Sequence, residues 1–270
     1  MRKSVKLMAA AALALGFAVA PHTKAALTNG GFETGDYTGW STLGDDSIQT
    51  LGTGFNPPAG NDVAFLNNDP SGSNIYDGTA ATTNVAALDS FSGLSSGTLE
   101  GLGVTSGSAI TQSFTTSGGA LSFEYNFLTN ETPATNQDFA YVALSGTGIV
   151  GTELFVIANP TTPAGTPPPL TSAQAGIYGY LSGVGTETGY LSDSISGLAA
   201  GSYTVSFGVT NVTDNNGSSG LLIDSVTAPS NGSSGGGGGG GAVPLPAAAL
   251  LAPAALALAG RYTVKLRKQA

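Results

Sequence analysis

An all-β domain, an antiparallel β-sandwich of jelly-roll type flanked by an N-terminal signal helix and a C-terminal apolar helix, is the fold class this 270-residue sequence predicts. Three observations carry that expectation. The middle of the chain is well supplied with Val, Ile, Phe, Tyr and Thr and poor in Lys, Glu and Arg, a balance that suits strands better than helices. Short apolar runs alternate with clusters of Gly, Asn, Asp and Pro, which are turn residues. No stretch between the two ends has the periodicity of an amphipathic helix.

Taken in order, "WSTLGDDSIQTLG" from Trp40 and "DVAFLNND" from Asp62 are the first strand candidates. The clearest pair is "SAITQSFTTSGGALSFEYNFLTNE", two period-2 runs joined at Ser117, Gly118 and Gly119. In its second run Leu121, Phe123, Tyr125 and Phe127 share one face, and Ser122, Glu124 and Asn126 the other. "DFAYVALSG" and "TELFVIA" follow, then a Pro-rich surface loop, "NPTTPAGTPPPLT", which has too few N–H donors for a ladder. "GSYTVSFGVTNVTDNNGSSGLLIDSV" reads as a last hairpin turning at 214–217.

The two ends differ from this middle. "MRKSVKLMAAAALALGFAVAPHTKA" has a basic start, an apolar run and small residues at Thr23 and Ala25, the pattern of a secretory signal peptide cleaved after Ala25. The expected organisation is a signal peptide over 1–25, a β-sandwich ectodomain over 26–229, a Gly/Ser linker over 230–242 and a tail over 243–270. That tail holds "VPLPA", a short apolar stretch and a basic end of Arg261, Lys265, Arg267 and Lys268. Thirteen apolar residues rise only about 20 Å as a helix, short of a roughly 30 Å hydrocarbon core, so the stretch is a weak permanent anchor. The cations stand where a cytoplasmic edge belongs, with the bulk of the chain outside.

Val243, Pro244, Leu245, Pro246 and Ala247, with the apolar stretch and the basic end behind them, resemble the C-terminal sorting signal of PEP-CTERM proteins in its VPLPA variant. The resemblance covers about the last 28 residues and the general layout. It implies an exosortase-like membrane protease and the export machinery as partners, and removal of the tail. It also implies residence in the envelope, outer surface or extracellular matrix of a Gram-negative bacterium, with a link to exopolysaccharide and biofilm. An ordinary single-pass anchor is the alternative reading of the same tail.

Charge narrows the chemistry. All 17 Asp and Glu lie between Ala25 and Gly260, and no Lys, Arg or His lies there. Such a surface repels nucleic acid and anionic membranes, and divalent cations are its obvious counter-ions. Without His, Cys, Lys or Arg, the exported part has no Ser-His or Cys-His nucleophile, no Schiff-base lysine and no basic clamp for phosphate. Only carboxylate chemistry of the glycosidase kind survives, with Glu124 and Glu131 as candidates, and the sequence gives no sign that two such groups converge. The expectation is therefore a protein that is not an enzyme.

The opening of the exported part, "LTNGGFETGDYTGW", with "LLIDSV" near its end, resembles jelly-roll carbohydrate-binding modules. In those modules an acidic residue of the first strand and one of the last hold a structural calcium, which implies that role for Glu33 and Asp224. A second oxygen-rich stretch, "LTNETPATNQDFAYVAL", offers Asn130, Glu131, Asn136 and Asp138 either to a hard cation or to ordinary Asx turns. "NNDPSGSNIYDG" misses the spacing of an EF-hand loop. Among aromatic residues, Trp40 suits the core. Tyr178 and Tyr180, one face of "GIYGYLSG", suit a sugar platform or the core equally, and Tyr76 and Tyr190 stand in similar contexts. Two functions remain open: a structural surface or matrix protein, and a calcium-stabilised module that binds extracellular polysaccharide.

Overall fold

Two antiparallel sheets face one another. The computed structural model describes residues 26–51, 56–71, 79–131, 137–160, 186–213 and 218–230, together with the backbone of 171–172. Twelve strands lie in these segments: β1 (Ser41–Leu43), β2 (Asp45–Thr50), β3 (Asp62–Asn67), β4 (Val104–Thr116), β5 (Gly119–Thr129) and β6 (Phe139–Gly146) come first. They are followed by β7 (Thr152–Ala158), β8 (Thr171–Ser172), β9 (Thr186–Glu187), β10 (Leu191–Leu198), β11 (Gly201–Val212) and β12 (Ser219–Thr227). One sheet, A, has the order β1-β4-β11-β6-β7; the other, B, runs β2-β3-β12-β5-β9-β8, with β10 also paired to β5. The expected all-β, jelly-roll-like sandwich is the architecture observed.

Alternation along the strands builds the core. Leu121, Phe123, Tyr125 and Phe127 of β5 and Leu221 and Ile223 of β12 turn inward, against Ile110, Phe114, Val205, Phe207 and Val209 of sheet A. Trp40 belongs to this core, as expected: its ring lies 5.5 Å from Phe32 and 6.1 Å from Phe207. Its indole N–H donates to the Asn29 carbonyl at 3.1 Å, so the polar edge is satisfied without solvent.

Three features of the sequence reading change. The run from Trp40 is two strands, because Gly44, at φ +97°, turns the chain from sheet A into sheet B. A side chain at Gly44 would collide with Ser108, so only glycine serves at this corner. Second, neither of the two expected hairpins is a hairpin. β4 and β5 lie in opposite sheets, as do β11 and β12; β4 pairs with β11, and β5 pairs with β12. Period-2 alternation reports which face of a strand is buried and is silent about which strand lies beside it. By contrast β6 and β7 do pair directly.

Third, a helix, α1 (Val85–Phe91), lies on the outer face of sheet A. The Asn84 side chain caps it by accepting from the Ala87 N–H at 3.1 Å, and Val85 and Leu88 are buried. Within it Asp89 is fully buried, and its carboxylate accepts from the N–H groups of Gly97, Thr98 and Leu99 at 2.8, 3.1 and 3.0 Å. Seven residues are too few to show a helical period, so the sequence conceals this element. Residues 161–170 of the Pro-rich loop, the 214–217 turn, the signal segment, residues 231–242 of the linker and the tail lie outside the described residues. Among the described residues no helix is long and apolar enough to cross a membrane.

Candidate functional site

The outer face of sheet B collects the acidic and hydroxyl side chains. Because Phe123, Tyr125 and Phe127 turn inward, Ser122, Glu124 and Asn126 must face outward, as the sequence predicts. Next door in β12, Leu221 and Ile223 are inward, so Asp224 is outward, and the register sets it directly opposite Glu124. On the other side of β5, β10 sets Ser192 opposite Glu124 and Ser194 opposite Ser122. Two carboxylates on directly opposed residues, with no cation between Ala25 and Gly260, make an electrostatically costly arrangement.

Asp224 records that cost. It is fully buried, and burial is the main reason its carboxyl is pushed up from 3.8 to about 6; Glu124 and Glu33 push the same way. Hydrogen bonds from the Ser225 and Ala59 N–H groups oppose the rise without cancelling it. Tyr190 lies close by. Burial pushes the pKa of its phenol up, and the negative charges of Asp224, Glu187 and Glu124 push it further. That hydroxyl is buried and has no hydrogen-bond partner. Glu187 is buried and accepts from the Asn126 side-chain amide at 2.6 Å, and the Asn126 oxygen accepts from the Thr188 hydroxyl at 3.3 Å.

Beside this cluster the surface opens into a cleft of about 420 Å³. Its polar lining is Ser122, Glu124, Ser192, Asp193, Ser194 and Ser225. The Ser192 hydroxyl donates to Glu124 Oε1 at 3.3 Å. The sequence reading names Glu124 and Tyr190 but passes over β10, which supplies half the cleft. The alternation in "YLSDSIS" was the available signal, with Ser192, Ser194 and Ser196 on one face, weakened by Asp193 on the otherwise apolar other face.

Glu33 and Asp224 are brought together. Glu33 accepts from the N–H groups of Asn61 and Asp62 at 3.0 and 3.1 Å, and Asp224 accepts from that of Ala59 at 3.4 Å, so both hold the same loop. A Cβ placed on Gly31 would sit 3.7 Å from both Asp224 Oδ1 and Glu33 Cγ. Gly60, at φ +66°, is required here because any side chain would run into the Glu33 carboxylate. Two anionic oxygen donors that repel one another fit a hard cation. Among the described residues no three His, Cys, Asp or Glu side chains gather into a metal-binding group, so backbone carbonyls and water would complete such a shell.

The second oxygen-rich stretch makes internal hydrogen bonds. Asp138 is fully buried; its Oδ2 accepts from Asn68 Nδ2 at 2.7 Å and the Ser219 hydroxyl at 2.8 Å, and its Oδ1 from the Val212 N–H at 3.0 Å. It ties three strands together across the two sheets. Asn130 accepts from the Ser218 N–H at 2.6 Å, a long-range tie to the start of the last strand, and the Glu131 N–H donates to the Thr129 hydroxyl at 3.0 Å, the geometry of a Ser/Thr turn. Asn136, Tyr76, Tyr178, Tyr180, the sorting motif and the basic end lie outside the described residues.

No protein-family model and no curated protein matches this sequence. Solved structures similar to it include TmCBM61 in complex with beta-1,4-galactotriose, at 13% identity and a TM-score of 0.37 over 75% of this chain and 96% of that one. A non-crystalline cellulose specific carbohydrate-binding module, CBM28, is similar at 9% identity and a TM-score of 0.35, over 77% and 97% of the two chains. The K1 cleaved adhesin domain of Lys-gingipain from Porphyromonas gingivalis W83 is similar at 10% identity and a TM-score of 0.33, over 72% and 94%. Likeness this distant bears on none of the site residues.

Proposed function

We propose that this is an exported, non-enzymatic protein of the cell surface or extracellular matrix that binds polysaccharide through the outer face of sheet B. The observation that supports this most is the cleft: serine hydroxyls and the Glu124 carboxylate line it, and these are the acceptors and donors that sugar hydroxyls require. The absence of any cation from 26 to 260 argues against anionic sugars and nucleic acid as direct ligands. A structural calcium held by Glu33 and Asp224 would relieve their repulsion and pin the loop containing Ala59 and Asn61 to the last strand.

The tail completes the reading. Val243, Pro244, Leu245, Pro246 and Ala247 would be read by an exosortase-like membrane protease after export, with the short apolar stretch as a transient anchor and the basic end on the cytoplasmic side. Residence at the envelope or in the matrix of a Gram-negative bacterium, in contact with exopolysaccharide, follows from that reading.

Two measurements test these parts separately. Protein purified from its host is expected to be retarded in gels containing a soluble polysaccharide, and Ser192→Trp, which fills the cleft from an exposed edge strand, abolishes the retardation. Retardation by no glycan, or undiminished retardation of the variant, defeats the binding surface. For the tail, mass spectrometry of the mature C-terminus is expected to find chains ending near the 243–247 motif. Intact chains reaching Ala270 in the membrane fraction would defeat sorting and favour a plain anchor.

A further inference from the structure

We infer that the cleft of sheet B takes a sugar that carries a protonated primary amine, the chemistry of a non-acetylated amino-sugar polymer. This rests on the polysaccharide-binding reading and specifies its ligand. One carboxylate, Glu124, lines the cleft among four serines; Asp193, opposite the inward Phe123, lends the cleft its backbone while its side chain turns to the other face. Asp224 stands directly across from Glu124 on the neighbouring strand, and the charges of Asp224, Glu187 and Glu124 all bear on the unpartnered Tyr190 hydroxyl. In a chain of ordinary composition a Lys or Arg would balance such a group, but here none exists between Ala25 and Gly260.

The choice among sugars follows from desolvation. A neutral sugar covering the cleft would take Glu124 out of water and return only neutral hydrogen bonds, leaving the charge uncompensated. An anionic sugar would add like charge. A sugar ammonium gives a charge-assisted N–H···O contact to the carboxylate while its remaining hydroxyls meet the serines. Glu124 is half-buried, which shields the contact from solvent more than an exposed pair would be. A volume of about 420 Å³ lies within the range of small-ligand clefts.

The test compares glucosamine oligomers with their N-acetylated counterparts and with a neutral glucan, by calorimetry at pH 6 in buffer free of divalent cations. The deacetylated oligomer is expected to bind at least about tenfold more tightly than the acetylated one, and Glu124→Gln removes most of that preference. Glu153→Gln, which deletes the same charge from the exposed edge of β7, leaves it intact. Equal affinity for the two oligomers overturns the inference. An equal loss in both variants also overturns it, since attraction would then follow net charge alone. Should Glu124→Gln fail to fold, Ser192→Lys places a cation in the cleft and is expected to abolish amine binding. Retained amine preference in Ser192→Lys overturns the inference. Binding of the glucan without amine preference sinks this inference and spares the polysaccharide reading; binding of no oligomer sinks both.

Discussion

Replacing Asp138 by Ala is expected to lower the stability of the sandwich by roughly 4 kcal/mol, which for a domain of this size is a fall of about 10 °C in Tm. The size follows from what the carboxylate does. Three donors converge on it, from Asn68 and Ser219 in or beside sheet B and from Val212 in sheet A. Removing it leaves the Val212 N–H and one Asn68 N–H buried without a partner, while the Ser219 hydroxyl keeps Thr129 and Asn68 keeps Thr210, and each such loss costs about 1–3 kcal/mol. Asp138→Asn keeps one acceptor but turns an amide N–H₂ toward a donor, so it loses about half as much. Thermal or urea unfolding of the two variants measures the effect. A loss under about 1 kcal/mol for the Ala variant would mean that Asp138 is dispensable to packing, and cation binding at this stretch would return to contention.

Asp224 controls a pH dependence of opposite sense to the usual carboxylate. Its folded-state value, about 6, lies above the ordinary 3.8, so between these values the folded protein binds the extra proton. Stability contributed by this group is therefore full below pH 3.8, declines as pH rises, and is lost above about 6. The difference between the two values sets an upper scale of about 3 kcal/mol. Stability of Asp224→Asn relative to the natural protein should accordingly rise between pH 4 and pH 7 by an amount approaching that figure. Calcium provides the complementary measurement: at pH 7 it is expected to raise the Tm of the natural protein and to leave those of Asp224→Asn and Glu33→Gln unchanged. A pH-independent difference between the proteins would show that Asp224 is solvated. An equal calcium effect in all three would place the cation elsewhere.

The way each strand presents its faces was open to reading from the sequence because burial on one side of a pleated strand imposes period 2. The inward set of Leu121, Phe123, Tyr125 and Phe127 and the outward set of Ser122, Glu124 and Asn126 both stand in the structure as that period requires. Trp40 was legible as core, since a single large ring in a small-residue context has few other places to go. The anionic character of residues 26–260, and the chemistries it removes, needed no structure at all.

Pairing did not share that legibility. Strands contiguous in sequence, β4 with β5 and β11 with β12, part company at their turns and enter opposite sheets, because two long apolar faces are better buried against each other than left side by side. That choice decides the site. It sets Asp224 opposite Glu124, brings β10 and its serines to the far side of β5, and carries Glu33 from the first turn to the last strand. Asp138 makes the same point from the inside: in the sequence it is one polar residue in a loop, and only the meeting of two sheets makes it a buried acceptor for three donors. The sequence by itself determined the strand faces and the uniform negative charge between Ala25 and Gly260. Only the tertiary structure decided which of those charges meet, because contacts between residues a hundred or more positions apart depend on sheet pairing, which local periodicity does not encode.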